Sequence, residues 1–189
     1  MDVQSIGPMN SKIGFATINA FVHRLTGVHL ALYTITDWLG ILPLIFAMGF
    51  AILGLIQWIK RKKLSKVDRD IILLGCFYVN VILVYVLFEE IPVNYRPVLL
   101  GGRLEASYPS STTVLTMCVM PTAAIQLKIR LKKKIVRHIA VYSITLFTIF
   151  MVISRLFSGV HWLSDIIGGI LFSAGMVLLY RYFIYSKNQ

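Results

Sequence analysis

Five stretches of the chain are apolar and free of charge: Leu39–Ile59, Ile71–Phe88, Ser111–Leu127, Ile139–Ser154 and Ile166–Tyr180. A helix crosses the hydrocarbon core of a bilayer with about 20 residues. The shorter runs reach that length through their flanks, with Ile135 and Val136 ahead of the fourth and the residues from Val160 ahead of the fifth. Flanking side chains that snorkel then make all five spans. Pro43 and Pro121 fall inside runs, where lipid tolerates a kink. Trp58 ends the first run as an interfacial anchor, and Asp37 precedes it as an expected N-cap. Ahead of the spans, Phe15, Ile18, Phe21, Val22, Leu25, Val28 and Leu32 recur at helical spacing. Lys12, His23, Arg24 and His29 interrupt them, which predicts an amphipathic helix lying at the interface over Ile13–Leu32. A sixth, poor transmembrane helix is the alternative. The expected organisation is an interfacial segment over 1–36, a membrane helical domain over 37–185 and a tail over 186–189.

Composition agrees with the pattern. The 189 residues are 57% hydrophobic and only 14% charged. A soluble domain carries about 25% charged residues. With a mean hydropathy of +0.76, disorder and most soluble enzymes are excluded, and the fold class is all-α, a polytopic membrane helix bundle. The net charge of +11 comes from 19 Lys and Arg against 8 Asp and Glu. Of the basic residues, 14 lie in the linkers around Lys60–Arg69 and Lys128–Arg137 and in the tail, at Arg181 and Lys187. The positive-inside rule makes that side cytoplasmic, with the N-terminus outside and the C-terminus inside a cell membrane. The linkers are short and carry no interleaved aromatics, so no nucleic-acid partner is expected. The first ten residues have no basic n-region, so no signal peptide is expected. Cys76 and Cys118 sit in apolar runs and read as small buried residues, with no disulfide framework. His23 and His29 are six residues apart, on different helix faces, and suggest no metal site. His138 reads as an interface residue at the cytoplasmic end of the fourth span.

The chemistry gathers on the other side. The loop Glu89–Ser110 carries Glu89, Glu90, Arg96, Arg103 and Glu105, and the loop Arg155–Asp165 carries Arg155, His161 and Asp165. Charged groups next to hydrocarbon are functional by default. If the fifth span starts near Val160, His161 and Asp165 are i and i+4 on one helix face. An aspartate accepting one imidazole N–H leaves the other ring nitrogen with a free lone pair, which makes His161 a nucleophile candidate. Arg155 offers a planar fork for phosphate oxygens. Its bland counterpart is a His–Asp–Arg ion pair closing the helix ends. Pro109-Ser110-Ser111-Thr112 reads as a turn into a helix N-cap, whose open N–H groups favour a phosphate or are simply well capped. Trp162 and Tyr108 flank the site and read as interfacial anchors.

Ser154-Arg155-x5-His161-x3-Asp165 resembles in full the third motif of the type 2 phosphatidic acid phosphatase superfamily, which includes lipid phosphate phosphatases and vanadium haloperoxidase-like proteins. Gly159 and Gly169 also fall where that family often has glycine. Arg96-Pro97 is similar to the end of its first motif, K-x6-R-P, and Pro109-Ser110 to the start of its second, P-S-G-H. The resemblance covers about residues 37–185. It implies a six-helix core and a metal-independent lipid phosphatase without cofactor. In that core His161 is the nucleophile that forms a phosphohistidine and Asp165 orients it. Arg96, Arg155 and Ser110 hold the phosphate.

Two positions depart from the pattern. Glu89 stands at the first-motif lysine, and Ser111-Thr112 replaces the glycine and histidine of the second motif. A carboxylate beside phosphate repels it unless protonated or paired. Arg103 is the accessory candidate to pair with Glu89 or to replace the lysine; a protonated Glu89 or Glu90 is the candidate acid. A missing general acid costs about 10²–10⁴-fold, and the cost falls mainly on poor leaving groups. The favoured expectation is therefore hydrolysis of a lipid diphosphate, such as an isoprenyl or undecaprenyl pyrophosphate, at the outer face. The alternative is a non-catalytic relative that binds or moves a lipid phosphate; an unrelated small membrane protein ranks third.

Overall fold

The computed structural model describes residues 2–186. Met1 and residues 187–189, including Lys187 and most of the expected tail, lie outside the described residues. A two-residue strand β1 (Val3–Gln4) pairs antiparallel with β2 (Ile13–Gly14). Helix α1 (Ala16–Thr26) follows. Asp2 ties its start, accepting the Thr17 N–H at 2.8 Å. Then come α2 (Leu30–Leu39), α3 (Ile41–Arg61), α4 (Arg69–Glu90), α5 (Ser111–Arg130), α6 (Lys134–Phe157) and α7 (Leu163–Tyr185).

The amphipathic region is not one helix over Ile13–Leu32. Ile13 and Gly14 are strand, and Gly27, at φ +66°, breaks the helix between α1 and α2. With 11 residues, α1 spans about 16 Å, too short to cross. Its exposed face is apolar, with Phe15, Ile18, Phe21 and Leu25 all more than half exposed. Gly40 keeps a helical conformation, so α2 and α3 join into one 32-residue rod, Leu30–Arg61. Asp37 is therefore not an N-cap but lies in the last turn of α2.

Among the described residues, five helices are long and apolar enough to cross a membrane: the α2–α3 rod, α4, α5, α6 and α7. Helix α5 is their centre, with 61% of its apolar stretch buried against 11–28% in the others. Its Val114, Cys118 and Ala123 form one core with Leu74, Phe77, Val81, Ile144 and Tyr180 of the surrounding helices. Large apolar residues such as Ile45, Leu83, Leu146 and Leu171 point outward. Such a surface suits a chain whose solvent is lipid. Cys76 belongs to that outer surface and is exposed, unlike Cys118; a position on an apolar helix does not fix which face is buried.

The two basic linkers meet at one end of the bundle. Asp68, just before α4, pairs with Arg61 at 2.7 Å, and Asp70 pairs with Arg130 at 2.7 Å. The Arg61 hydrogen bond holds the Asp68 carboxyl below its ordinary range. Glu89, Arg96, Arg155, His161 and Asp165 lie at the opposite end.

Candidate active site

The loop between α4 and α5 folds back as a short hairpin. Tyr95 bridges Ala106, and Leu100 bridges Arg103. Gly101 and Gly102 turn the chain at φ +58° and +75°. A tight hairpin turn with both central residues at positive φ selects for Gly-Gly. The Arg96 N–H donates to the Glu105 carbonyl at 3.1 Å, and the Ser107 N–H to the Asn94 carbonyl at 2.9 Å. These bonds set Arg96, Arg103, Glu105 and Ser107 against the loop between α6 and α7.

That second loop carries His161, which is buried. Helix α7 begins only at Leu163, so His161 precedes the helix instead of sharing a face with Asp165. Trp162 is extended, and Asp165 accepts its N–H at 2.9 Å, fixing the helix start. His161 Nδ1 and Asp165 Oδ2 are 3.9 Å apart, too far for a hydrogen bond. Ser107 fills the gap. Its Oγ lies 3.1 Å from Nδ1 and donates to Asp165 Oδ2, and its carbonyl lies 3.2 Å from Nδ1. With Ser107 supplying acceptors, the proton sits on Nδ1, and Nε2 keeps a lone pair. Arg96 Nη1 is 3.2 Å from Nε2. Burial pushes the imidazole well below its ordinary value, and Arg96 and Arg155 push the same way. The ring is therefore neutral, the state a nitrogen nucleophile needs.

A cavity of about 670 Å³ opens beside this histidine. His161, Arg96, Arg103, Glu105 and Glu89 line its polar end, with Ser111 and Thr112 from the first turn of α5. Leu44, Val81, Ile82, Val114 and Leu115 line the rest. The hydroxyl of Ser110 makes no cap bond to the start of α5. Glu105 lies 3.0 Å from Arg96 Nε, so a second carboxylate occupies the anion end. Among the described residues no ion pair joins Arg103 to Glu89; the two share the cavity wall. Glu90 is not part of that wall.

Two expected phosphate ligands sit off the cavity. Ser110 is fully buried at the N-cap position of α5, where its N–H donates to the Asp165 carbonyl at 3.2 Å and its Oγ accepts from Thr113. Arg155 is buried between α6 and α2, 3.3 Å from Thr36 Oγ1, 3.8 Å from Asp37 and over the Tyr33 ring. Its Nε has no partner among the described residues. A buried donor left open is rare. Trp162 is not an interfacial anchor: it is buried, its N–H donates to the Tyr95 carbonyl at 2.7 Å, and its ring packs on His23. Tyr108 lines the cavity and packs against Phe88.

The site residues that the sequence does not single out are Ser107, Asn94 and Ser164; Glu105 stands out there only as a loop charge. Asn94 Nδ2 lies 3.2 Å from Asp165 Oδ1 and 3.4 Å from Ser164 Oγ. Polar side chains clustered in an otherwise apolar chain were the available signal. The side-chain partners of Ser107 and Asn94 lie more than 50 positions away.

Residues 86–189 match the family model described as the PAP2 superfamily. No curated protein matches the chain. A solved structure of similar fold is the transmembrane PAP2 type phosphatidylglycerolphosphate phosphatase from Bacillus subtilis, at 20% identity and a TM-score of 0.52. The alignment covers 90% of this chain and 94% of that one.

Proposed function

The chain belongs to the PAP2 superfamily, and from that premise we propose that it is a lipid phosphatase with His161 as its nucleophile. The observation that carries this reading is the cavity, in which a neutral histidine beside Arg96 closes one end and apolar side chains of α3, α4 and α5 line the other. An amphiphile with a phosphate head fits that division of chemistry.

In this reading the phosphate displaces Arg96 from Nε2 and takes its guanidinium, with Arg103 on the same wall as a further donor. Nε2 attacks phosphorus, the N–P bond forms, and the bond to the leaving oxygen breaks. Water then attacks the phosphohistidine, inorganic phosphate leaves, and the lone pair returns to Nε2. Ser107 and Asp165 hold the Nδ1 proton and stabilise the charge that develops on the ring. Guanidinium groups supply the positive charge, and no step calls on a metal. Ser110 supports the start of α5 instead of touching the substrate. The site faces the extracytoplasmic side, because the basic linkers lie at the other end.

Thr112 offers no acid to an alkoxide leaving group, so the favoured substrate is an isoprenyl diphosphate, whose phosphate leaving group needs little protonation. The same Thr112 and the Arg96–Glu105 contact favour a second reading, a non-catalytic binder of lipid phosphate. Phosphate release from undecaprenyl pyrophosphate, undecaprenyl phosphate and phosphatidic acid, without added metal, decides between them. Release lost in His161→Ala supports the phosphatase; binding without release supports the binder.

A further inference from the structure

The N-terminal segment lies ahead of the matched residues 86–189, yet it reaches the reaction centre. Asn19 is fully buried on the inner face of α1. Its Oδ1 accepts the Ser164 N–H at 3.0 Å. Its Nδ2 donates to Ser164 Oγ at 2.9 Å and to the Gly14 carbonyl at 2.8 Å. Ser164 is the second residue of α7, where backbone N–H groups have no intrahelical partner. A side chain on a different helix thus caps α7 next to Asp165.

The network continues inward. Ser164 Oγ lies 3.4 Å from Asp165 Oδ1, and Asn94 bonds to both residues. The Gly14 N–H donates to Asn94 Oδ1 at 3.3 Å. The other carboxylate oxygen, Oδ2, takes Ser107, which bonds to His161.

The remaining attachments of this segment converge on the same loop. His23 Nε2 donates to the Gly159 carbonyl at 3.0 Å, and the His29 N–H donates to the Ser158 carbonyl at 2.9 Å. The apolar side chains Phe15, Ile18, Phe21 and Leu25 point away from the protein. A helix present only as a membrane anchor has no need to bury an asparagine with every polar atom committed to the chain around the nucleophile.

We propose that α1 completes the active site, with Asn19 a positioning residue that acts on His161 through Ser164, Asp165 and Ser107. The proposal rests on the reading of His161 as nucleophile. A misplacement of about 1 Å costs about 10²-fold in rate. Asn19→Ala is accordingly expected to lower kcat about 10- to 100-fold, with KM changed less than about threefold. Ile18→Ala, on the outer face of the same helix, is expected to stay within about twofold of the parent.

The test pairs turnover with an NMR titration of the His161 imidazole in the detergent-solubilised full chain. Loosening α1 lets water reach the ring, so the His161 titration moves up towards ordinary histidine in Asn19→Ala. That shift together with the kcat loss supports the proposal. Parent-like kcat and an unmoved titration overturn it. A kcat loss with an unmoved titration also overturns it, because it marks a general structural defect. If Asn19→Ala does not fold, Ser164→Ala, which keeps the capped N–H and removes the Oγ contact, is read by the same two criteria. If the parent releases no phosphate from any lipid, the phosphatase reading fails, while the titration still reports whether Asn19 is coupled to His161.

Discussion

Ser107 Oγ stands between His161 and Asp165, 3.1 Å from Nδ1 on one side and donating to Oδ2 on the other, while those two atoms are 3.9 Å apart. A direct histidine–aspartate pair makes Ser107 dispensable; the observed geometry does not. Ser107→Ala keeps the backbone carbonyl that also accepts from Nδ1, so the tautomer survives and only the relay to the carboxylate is cut. One hydrogen bond of this kind contributes about 1–1.5 kcal/mol, which corresponds to a fall in kcat of about tenfold. Steady-state kinetics on the variant check it; an unchanged kcat sinks the relay.

The pH dependence follows from burial of the same ring. The His161 imidazole is held well below its ordinary value of about 6.5 by desolvation, then by Arg96 and Arg155. The acid limb of kcat/KM in the free enzyme is therefore expected below pH 6.5, with activity retained where an ordinary histidine is half protonated. Stability has the same sign. Below about pH 6.5 the unfolded chain binds a proton that the folded one refuses, so this residue's contribution is lost as pH falls from 6.5 towards the folded-state value. A rate profile from pH 4 to 8 tests the first statement, and thermal unfolding over the same range tests the second. An acid limb above pH 6.5 counts against a buried neutral nucleophile.

What the sequence made legible was what local pattern encodes. Long apolar runs mark spans because a span needs about 20 apolar residues whatever its neighbours, and the basic linkers at Lys60–Arg69 and Lys128–Arg137 do cluster at one end of the bundle. The α2–α3 rod was hidden because Thr36 and Asp37 interrupt the apolar run. Their role is tertiary: they meet Arg155, more than 115 positions away. The structure places His161, Asp165 and Arg96 near one another, with Ser107 between the first two. Ser107, Asn94 and Ser164 had no periodicity to betray them, and Asn19 was masked by an amphipathic pattern that describes only the outer face of α1.

Gly159 gives the clearest stability test. It sits at φ +69°, and a Cβ there comes within 1.9 Å of the Gly27 carbonyl oxygen. The left-handed conformation alone costs a residue with a Cβ about 1–2 kcal/mol, and the clash is with backbone, which cannot rotate away. Gly159→Ala is expected to lower the unfolding temperature measured in detergent and to depress turnover, since the loop it distorts carries His161. By contrast, a Cβ at Gly175 meets nothing within 4 Å, so Gly175→Ala is expected to leave the unfolding temperature unchanged or raised by helix propensity. Equal behaviour of the two variants argues against close packing of the N-terminal turn on this loop.

Thr112 lines the cavity in the first turn of α5, at the position where the family's second motif carries its acid. A threonine hydroxyl does not deliver a proton at neutral pH, so an alkoxide gets no acid from this position, while a phosphate leaves as a stable anion. Thr112→His puts an ionisable group back at the cavity wall. General acid catalysis provides about 10²–10⁴-fold in an evolved site. A grafted histidine without its supporting shell is expected to reach the lower end at most, about 10²-fold, on undecaprenyl phosphate. On the diphosphate the same variant is expected to change turnover by less than about threefold, because protonation of that leaving group adds little. Parallel assays of parent and variant on the two lipids, with unfolding temperatures as a folding control, read the difference directly. Equal stimulation of both substrates, or faster hydrolysis of the monophosphate than of the diphosphate by the parent, removes the leaving-group argument and with it the preference for a diphosphate.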